Sequence, residues 1–216
     1  MKQENKHTGG IPMDFETVAQ KRRTVREFDE RSVPDEIVRR AISLAFMAPS
    51  YNHLRQWDFV LVTEFDIKET LTLTETMSES VTPEMEKLFG NVDVLARHMY
   101  LDAIPKQKRM ILSAPIVCVV VYKPKTSIEC ATKIYDLNCL ASVWCCIENF
   151  LLSLAENDVF GVTFIPQNTP AVKKVLSIPE ILEVAALIPI GYRKIGAAEI
   201  MQKEVHIDDH IHREKW

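Results

Sequence analysis

Arg22-Arg23-Thr24-Val25-Arg26-Glu27-Phe28 is followed, one predicted helix later, by Ala48-Pro49-Ser50-Tyr51-Asn52-His53-Leu54-Arg55-Gln56-Trp57-Asp58-Phe59-Val60. The two runs tether two groups of hydrogen-bond donors to opposite ends of one apolar helix. Arg22, Arg23 and Arg26 offer fixed positive charge in planar forks, which bind phosphate bidentately where lysine offers only a point charge. Alone, these arginines read equally as a solvated basic turn; the second run tips the reading toward an anion site. Ser50 to Gln56 is mostly neutral, small or amide-bearing, and suits the polar edge of a planar ring.

Working outward, Met13 to Gln20 places Phe15, Val18 and Ala19 on one side of a short amphipathic helix that leads into the arginines. Pro34 opens the connecting helix, whose Ile37, Ala41, Leu44, Ala45 and Ala48 recur at helical spacing until Pro49 stops it. Trp57 to Thr63 is bulky and β-branched, a strand buried on at least one face, with Trp57 read as a packing residue before a ligand contact. Ala114 to Tyr122 is nearly all apolar and predicts a central strand, and Glu183 to Ile190 predicts another. Lys133 to Glu156 is the longest predicted helix. Its apolar residues cover nearly the whole circumference, which requires enclosure at the centre of the domain. Asn138 and Asn149 on it read as structural hydrogen bonders. Glu64 to Gln107 is polar and poorly periodic, predicting short helices joined by loops; His98, Met99 and Tyr100 there read either as substrate-facing or as helix packing. Thr169-Pro170 starts a further helix through Leu176.

Composition bounds the function. A chain of 216 residues, 47% hydrophobic and 26% charged, suits one domain with a real core. A formal net charge of −4 gives no electrostatic reason to expect nucleic acid. Five cysteines without paired C-x-x-C spacing predict small buried thiols in a reducing cytoplasm rather than a metal or redox site. The first residues, Met1 to Gly10, have no apolar core of a signal peptide and read as a disordered lead-in. Uninterrupted apolar runs stay short, since Cys139 to Ala155 carries Ser142, Glu148, Asn149 and Ser153, so no membrane span is expected. His206, His210 and His212 with Asp208 and Asp209 invite a metal reading, but the surrounding composition is that of a solvated arm, and no metal is expected. There is no G-x-S-x-G, H-E-x-x-H, P-loop or G-x-G-x-x-G, which argues against a hydrolase triad and a Rossmann dehydrogenase.

Together the motifs resemble the FMN-dependent nitroreductase family, whose signature is R-R-S-x-R-x-F, a helix, then A-P-S-x-x-N-x-Q-P-W-x-F-V-V. The match stands at Arg22, Arg23, Arg26, Phe28, Ala48, Pro49, Ser50, Trp57 and Phe59. Counting back from Trp57, the family's Asn is His53 here, its Gln is Arg55 and its Pro is Gln56. The resemblance implies an α+β fold: a three-layer α/β/α sandwich with a mainly antiparallel central sheet, assembled as an intertwined homodimer with part of the surface of the Lys133 to Glu156 helix at the subunit interface. It implies an FMN-binding domain over residues 13–196 after a lead-in of residues 1–12, and a C-terminal arm, 197–216, crossing to the partner subunit.

By the same resemblance, FMN is bound tightly by Arg22, Arg23, Thr24 and Arg26 and by Pro49, Ser50, Tyr51, Asn52, His53 and Arg55. Arg109 stands where the family carries a cation against the N1 and C2 edge of the flavin. Gly161 stands in a backbone segment near N5 and O4, and Gly191-Tyr192 matches the family's G-Y-P with Arg193 for Pro. Lys203 is the nearest basic residue for the phosphate from the arm. The flavin N5 carries the chemistry and no catalytic side chain is needed. NAD(P)H is then a transient hydride donor, and a small electron-poor acceptor such as a nitroaromatic or quinone follows it in a ping-pong cycle. Two alternatives stay open: a reductive dehalogenase or FMN-degrading enzyme of the same family, the dehalogenases having His where His53 falls, and a non-catalytic FMN-binding sensor.

Overall fold

The strand expected from Ala114 to Tyr122 is the middle of the molecule in the computed structural model, which describes residues 13–216. The expected lead-in, residues 1–12, lies outside the described residues. In chain order the elements are α1 (Phe15–Lys21), α2 (Asp35–Ala45), β1 (Trp57–Val62), α3 (Phe65–Thr72), α4 (Pro83–Leu88), α5 (Val94–Ala103), α6 (Gln107–Ser113), β2 (Ile116–Tyr122), α7 (Asn138–Glu156), β3 (Val159–Gly161), α8 (Thr169–Leu176) and β4 (Glu183–Tyr192). Short 3-10 turns at Tyr51–His53, Ile104–Lys106, Ile134–Leu137 and Ile207–His210 punctuate them.

The four strands form one sheet in the order β1-β2-β4-β3, every pair antiparallel. All seven residues of β2 are buried, because alternate side chains of a strand feed opposite faces and both faces are covered. Cys118, Val120 and Tyr122 point into a core with Val38, Ala41 and Ala45 of α2 and Val143, Ile147, Phe150 and Leu154 of α7. Val117, Val119 and Val121 point into a second core with Leu71 of α3, Met110 and Ile111 of α6 and Val172 of α8. Helices, sheet, helices: this is the three-layer α+β arrangement expected.

Three expectations are corrected. The helix expected from Lys133 begins as α7 only at Asn138, because Asp136 accepts hydrogen bonds from the amide and hydroxyl of Thr132 and holds Ile134–Leu137 in a 3-10 turn. Nor is α7 enclosed all round: one side faces the sheet and α2, while Ala141, Cys145 and Glu148 are exposed and Trp144 and Leu151 half-buried. Ile134–Glu156 is long and apolar enough to cross a bilayer by length and composition, although no uninterrupted run announced it; its buried side chains pack on sheet and α2 as a core helix does. Finally, Cys118 and Cys146 are buried but Cys130 and Cys145 are exposed. Burial pushes the Cys146 thiol up to about 12.

Candidate functional site

After α1 the arginine segment runs extended along the end of β3 and β4. Thr24 bridges Gly161 in parallel and Phe28 bridges Arg193. The Val25 amide donates to Gly161 O at 3.3 Å, and the Lys194 amide donates to Glu27 O at 2.9 Å. Val25 and Phe28 sink into the core, which anchors the arginines between them. Gly161 is a glycine for the sheet's sake: a Cβ there would lie 3.0 Å from Ile190 Cγ2 and 3.1 Å from Pro189 O.

The arginines are not left to solvent. Arg22 Nε lies 3.5 Å from Glu148 on α7. Arg23 donates to Arg22 O at 2.8 Å, and its Nε lies 3.7 Å from Glu199. Arg193 donates to the same Glu199 at 3.0 Å and to Ala197 O at 2.8 Å. Arg26 is largely buried; its Nη1 is 3.9 Å from Asp102, and its Nη2 is 4.0 Å from the sulfur of Met99. Burial presses its guanidinium below the ordinary arginine range, and Asp102 opposes that. Lys106 donates to Asp102 at 2.6 Å and Glu27 at 2.8 Å; desolvation works against this ammonium, but the two carboxylates outweigh it and raise its pKa. Arg23, Arg26, Glu27, Asp102, Lys106, Arg193 and Glu199 line a cavity of ≈ 20 Å³, about the room for one water. A neighbouring cavity of ≈ 230 Å³ shares Arg23, Arg193 and Glu199 with it, so the Glu199 carboxylate stands in the wall between the two.

The second segment is built differently. Asn52, His53 and Arg55 all have positive φ (51°, 56° and 45°), a left-handed run that costs energy outside glycine and collects at functional loops. It is pinned by the Tyr51 amide donating to Ser142 Oγ of α7 at 2.9 Å, by the Tyr51 and Tyr135 hydroxyls at 2.7 Å, and by the Arg55 amide donating to Ser50 Oγ at 3.3 Å. Asn52, His53 and Arg55 are exposed, and Pro49 beside them is exposed as well. Trp57 is a packing residue, 3% exposed, with its ring 5.8 Å from that of Phe46.

Both segments rest on α7, at Ser142 and at Glu148, positions about 9 Å apart along the helix. Within one chain they line separate cavities. Arg109 is also set apart from the arginine cluster: it is exposed and lines a groove of ≈ 410 Å³ with Phe65, Glu79, Lys108 and Leu112. Lys106, one turn earlier, is the cation beside Arg26. Lys203 is exposed on the C-terminal segment, where every residue from 201 to 216 is exposed. Among the described residues no group of three His, Cys, Asp or Glu is placed to hold a metal. Met99 faces the cluster while Tyr100 stacks on Phe89 with centroids 4.6 Å apart. Asp102, Lys106 and Glu199 were not singled out by sequence reasoning, and Arg193 was noted only as the replacement for a proline. The i,i+4 spacing of Asp102 and Lys106 was a usable signal, whereas Glu199 and its distant partner Arg23 left none.

The model of the nitroreductase family matches residues 19–192. An iodotyrosine deiodinase of Haliscomenobacter hydrossis is 27% identical over 82% of this chain and 78% of its own. A protein of Archaeoglobus fulgidus, provisionally named an NADH dehydrogenase/NAD(P)H nitroreductase, is 26% identical over 90% of this chain and 94% of its own. Among solved structures, oxidised iodotyrosine deiodinase bound to FMN and 3-iodo-L-tyrosine superposes with a TM-score of 0.69 at 23% identity, covering 93% of this chain and 98% of that one. The arginine segment at the rim of a four-stranded antiparallel sheet, and a family match running from the end of α1 to the end of β4, lead to one conclusion: the chain belongs to the nitroreductase family.

Proposed function

We propose that this protein is an FMN-dependent oxidoreductase that reduces a small electron-poor acceptor at the expense of NAD(P)H in the cytoplasm. The observation that carries this reading is the cation cluster of Arg23, Arg26, Lys106 and Arg193, with the carboxylate of Glu199 seated across two of them. That carboxylate is a stand-in for an external anion, and the donor set around it suits the phosphate of FMN. FMN, when bound, supplies reversible two-electron hydride chemistry.

In this reading Arg22, Arg23 and Arg193 hold phosphate, and Thr24 adds a hydroxyl beside them. Arg26 and Lys106, held by Asp102, keep fixed charge in a largely desolvated place where it acts strongly. Ser50, Asn52, His53 and Arg55 complete the site from a second copy of the chain, since in their own copy Ser50 and Arg55 line another cavity. Lys203 comes from the C-terminal arm. A second reading, reductive removal of iodide from a halogenated phenol, is favoured by the deiodinase among the relatives.

The test is spectroscopic. Purified protein is expected to be yellow with flavin absorption, to bleach anaerobically on adding NADH or NADPH, and to recover colour with a nitroaromatic or quinone. Recovery with 3-iodotyrosine but not the nitroaromatic selects the second reading. Colourless protein that takes up no added FMN overturns the proposal, and yellow protein that neither nicotinamide bleaches overturns its catalytic part.

A further inference from the structure

The Arg26 end of the cluster contains two cations and two carboxylates drawn from three places in the sequence. Lys106 sits at the end of the 3-10 turn after α5, Asp102 one turn before it, and Glu27 next to Arg26 on the extended segment. The Lys106 ammonium is 2.6 Å from one carboxylate and 2.8 Å from the other. The Asp102 and Arg26 side chains are each only 15% exposed. A surface pair of the ordinary kind needs one carboxylate, and a second one on the same ammonium adds little stability in water. The second carboxylate also balances charge: Arg26 and Lys106 stand against Asp102 and Glu27. Counting the other end, where Arg23 and Arg193 face Glu199, the cavity carries one net positive charge.

We infer that Asp102 and Glu27 are positioning residues that fix Lys106 beside Arg26 and cancel its charge, so that they set how strongly the site favours a reduced, more negative flavin over the oxidised one. The inference rests on the FMN reading above and adds residues that reading does not need. Removing one negative charge leaves the cluster more positive and favours the reduced form; removing the ammonium does the reverse. The sign of each effect follows from attraction in a partly desolvated site.

The experiment measures midpoint potentials of the FMN-loaded full-length protein by dye equilibration, with no turnover involved. Asp102→Asn is expected to favour reduced over oxidised FMN about tenfold, a rise of about 30 mV for a two-electron couple. Glu27→Gln is expected to move the potential the same way and serves if Asp102→Asn fails to fold. Lys106→Met is expected to lower it, Asp102→Glu to restore the wild-type value, and Glu79→Gln, which breaks a pair with Lys108 lining the separate Arg109 groove, to leave it unchanged. Unmoved potentials in Asp102→Asn and Glu27→Gln overturn the inference while leaving the flavin reading standing, as does an equal shift in Glu79→Gln. Wild-type protein that binds no FMN overturns both.

Discussion

Glu199 occupies the candidate site with a side chain of the protein's own. Its carboxylate satisfies Arg23 and Arg193 from within the chain, so any phosphate reaching these guanidinium groups displaces it. A carboxylate 56% exposed is worth at most about 1 kcal/mol in such pairs, a factor of about five in an equilibrium constant. Glu199→Ala is therefore expected to tighten FMN binding by up to about fivefold in a fluorescence-quenching titration. Weaker binding in that variant would mean that the carboxylate belongs to the site instead of competing for it. At this scale the sequence was legible as a pattern: the arginines at 22, 23 and 26 were read as a candidate anion site only together with the run that follows the next helix, and the structure sets them on one extended segment beside β3 and β4. Their partners were not legible, because Asp102 and Glu199 meet them only after the chain has folded back across β4 and α5. Arg109 and Lys106 are three residues apart in sequence yet line different cavities. The 3-10 turn at Ile104–Lys106 joins α5 to α6 at a tighter pitch than an α-helix, and spacing counted from β2 does not register it.

Elements were more legible than partners, since periodicity is local. The strands expected at 57–63, 114–122 and 183–190 are β1, β2 and β4 within a residue or two, and the edge strand β3, three residues long, is too short for a period to show. The apolar circumference of α7 was read from its pattern, and the family resemblance implied that part of it meets a partner subunit; its own chain leaves Ala141 and Cys145 on that helix uncovered. The β2–β4 pairing also gives a pH prediction. Tyr122 lies opposite Glu183, is 4% exposed, and burial, with the Glu183 charge second, pushes its phenol up to about 12 from 10.0. An acid whose folded pKa is raised holds its proton more tightly when folded, so stability is full below pH 10 and falls as pH rises toward 12. Across that window the loss is roughly 2–3 kcal/mol. Urea midpoints of the wild type are expected to drop between pH 10 and 12 more steeply than those of Tyr122→Phe; parallel profiles would remove the phenol as the cause.

At the scale of the molecule, the open side of α7 and the separation of the two candidate segments point the same way. Leu44 and Met47 near the end of α2, Leu54 in the left-handed loop, and Cys145 on α7 leave apolar surface uncovered around that side. The C-terminal segment adds Met201, Val205, Ile207, Ile211 and Trp216, all exposed. Scattered exposed apolar residues are ordinary, but an arm with this many, leaving the body after Gly196, gains by covering a second copy. Obligate dimers bury more than about 2,000 Å², and a body face plus a crossing arm is the geometry that reaches such an area. Light scattering of the full chain, 24.8 kDa, is expected to give about twice that mass. On the proposed reading, in which the arm brings Lys203 and a second copy brings Ser50 to Arg55, removing residues 197–216 is expected to weaken FMN retention together with dimerisation. If the truncated protein stays dimeric and keeps its flavin, the arm is a passive tail; if it becomes monomeric yet keeps its flavin, the arginine cluster of one chain suffices and the second segment has no part in the site.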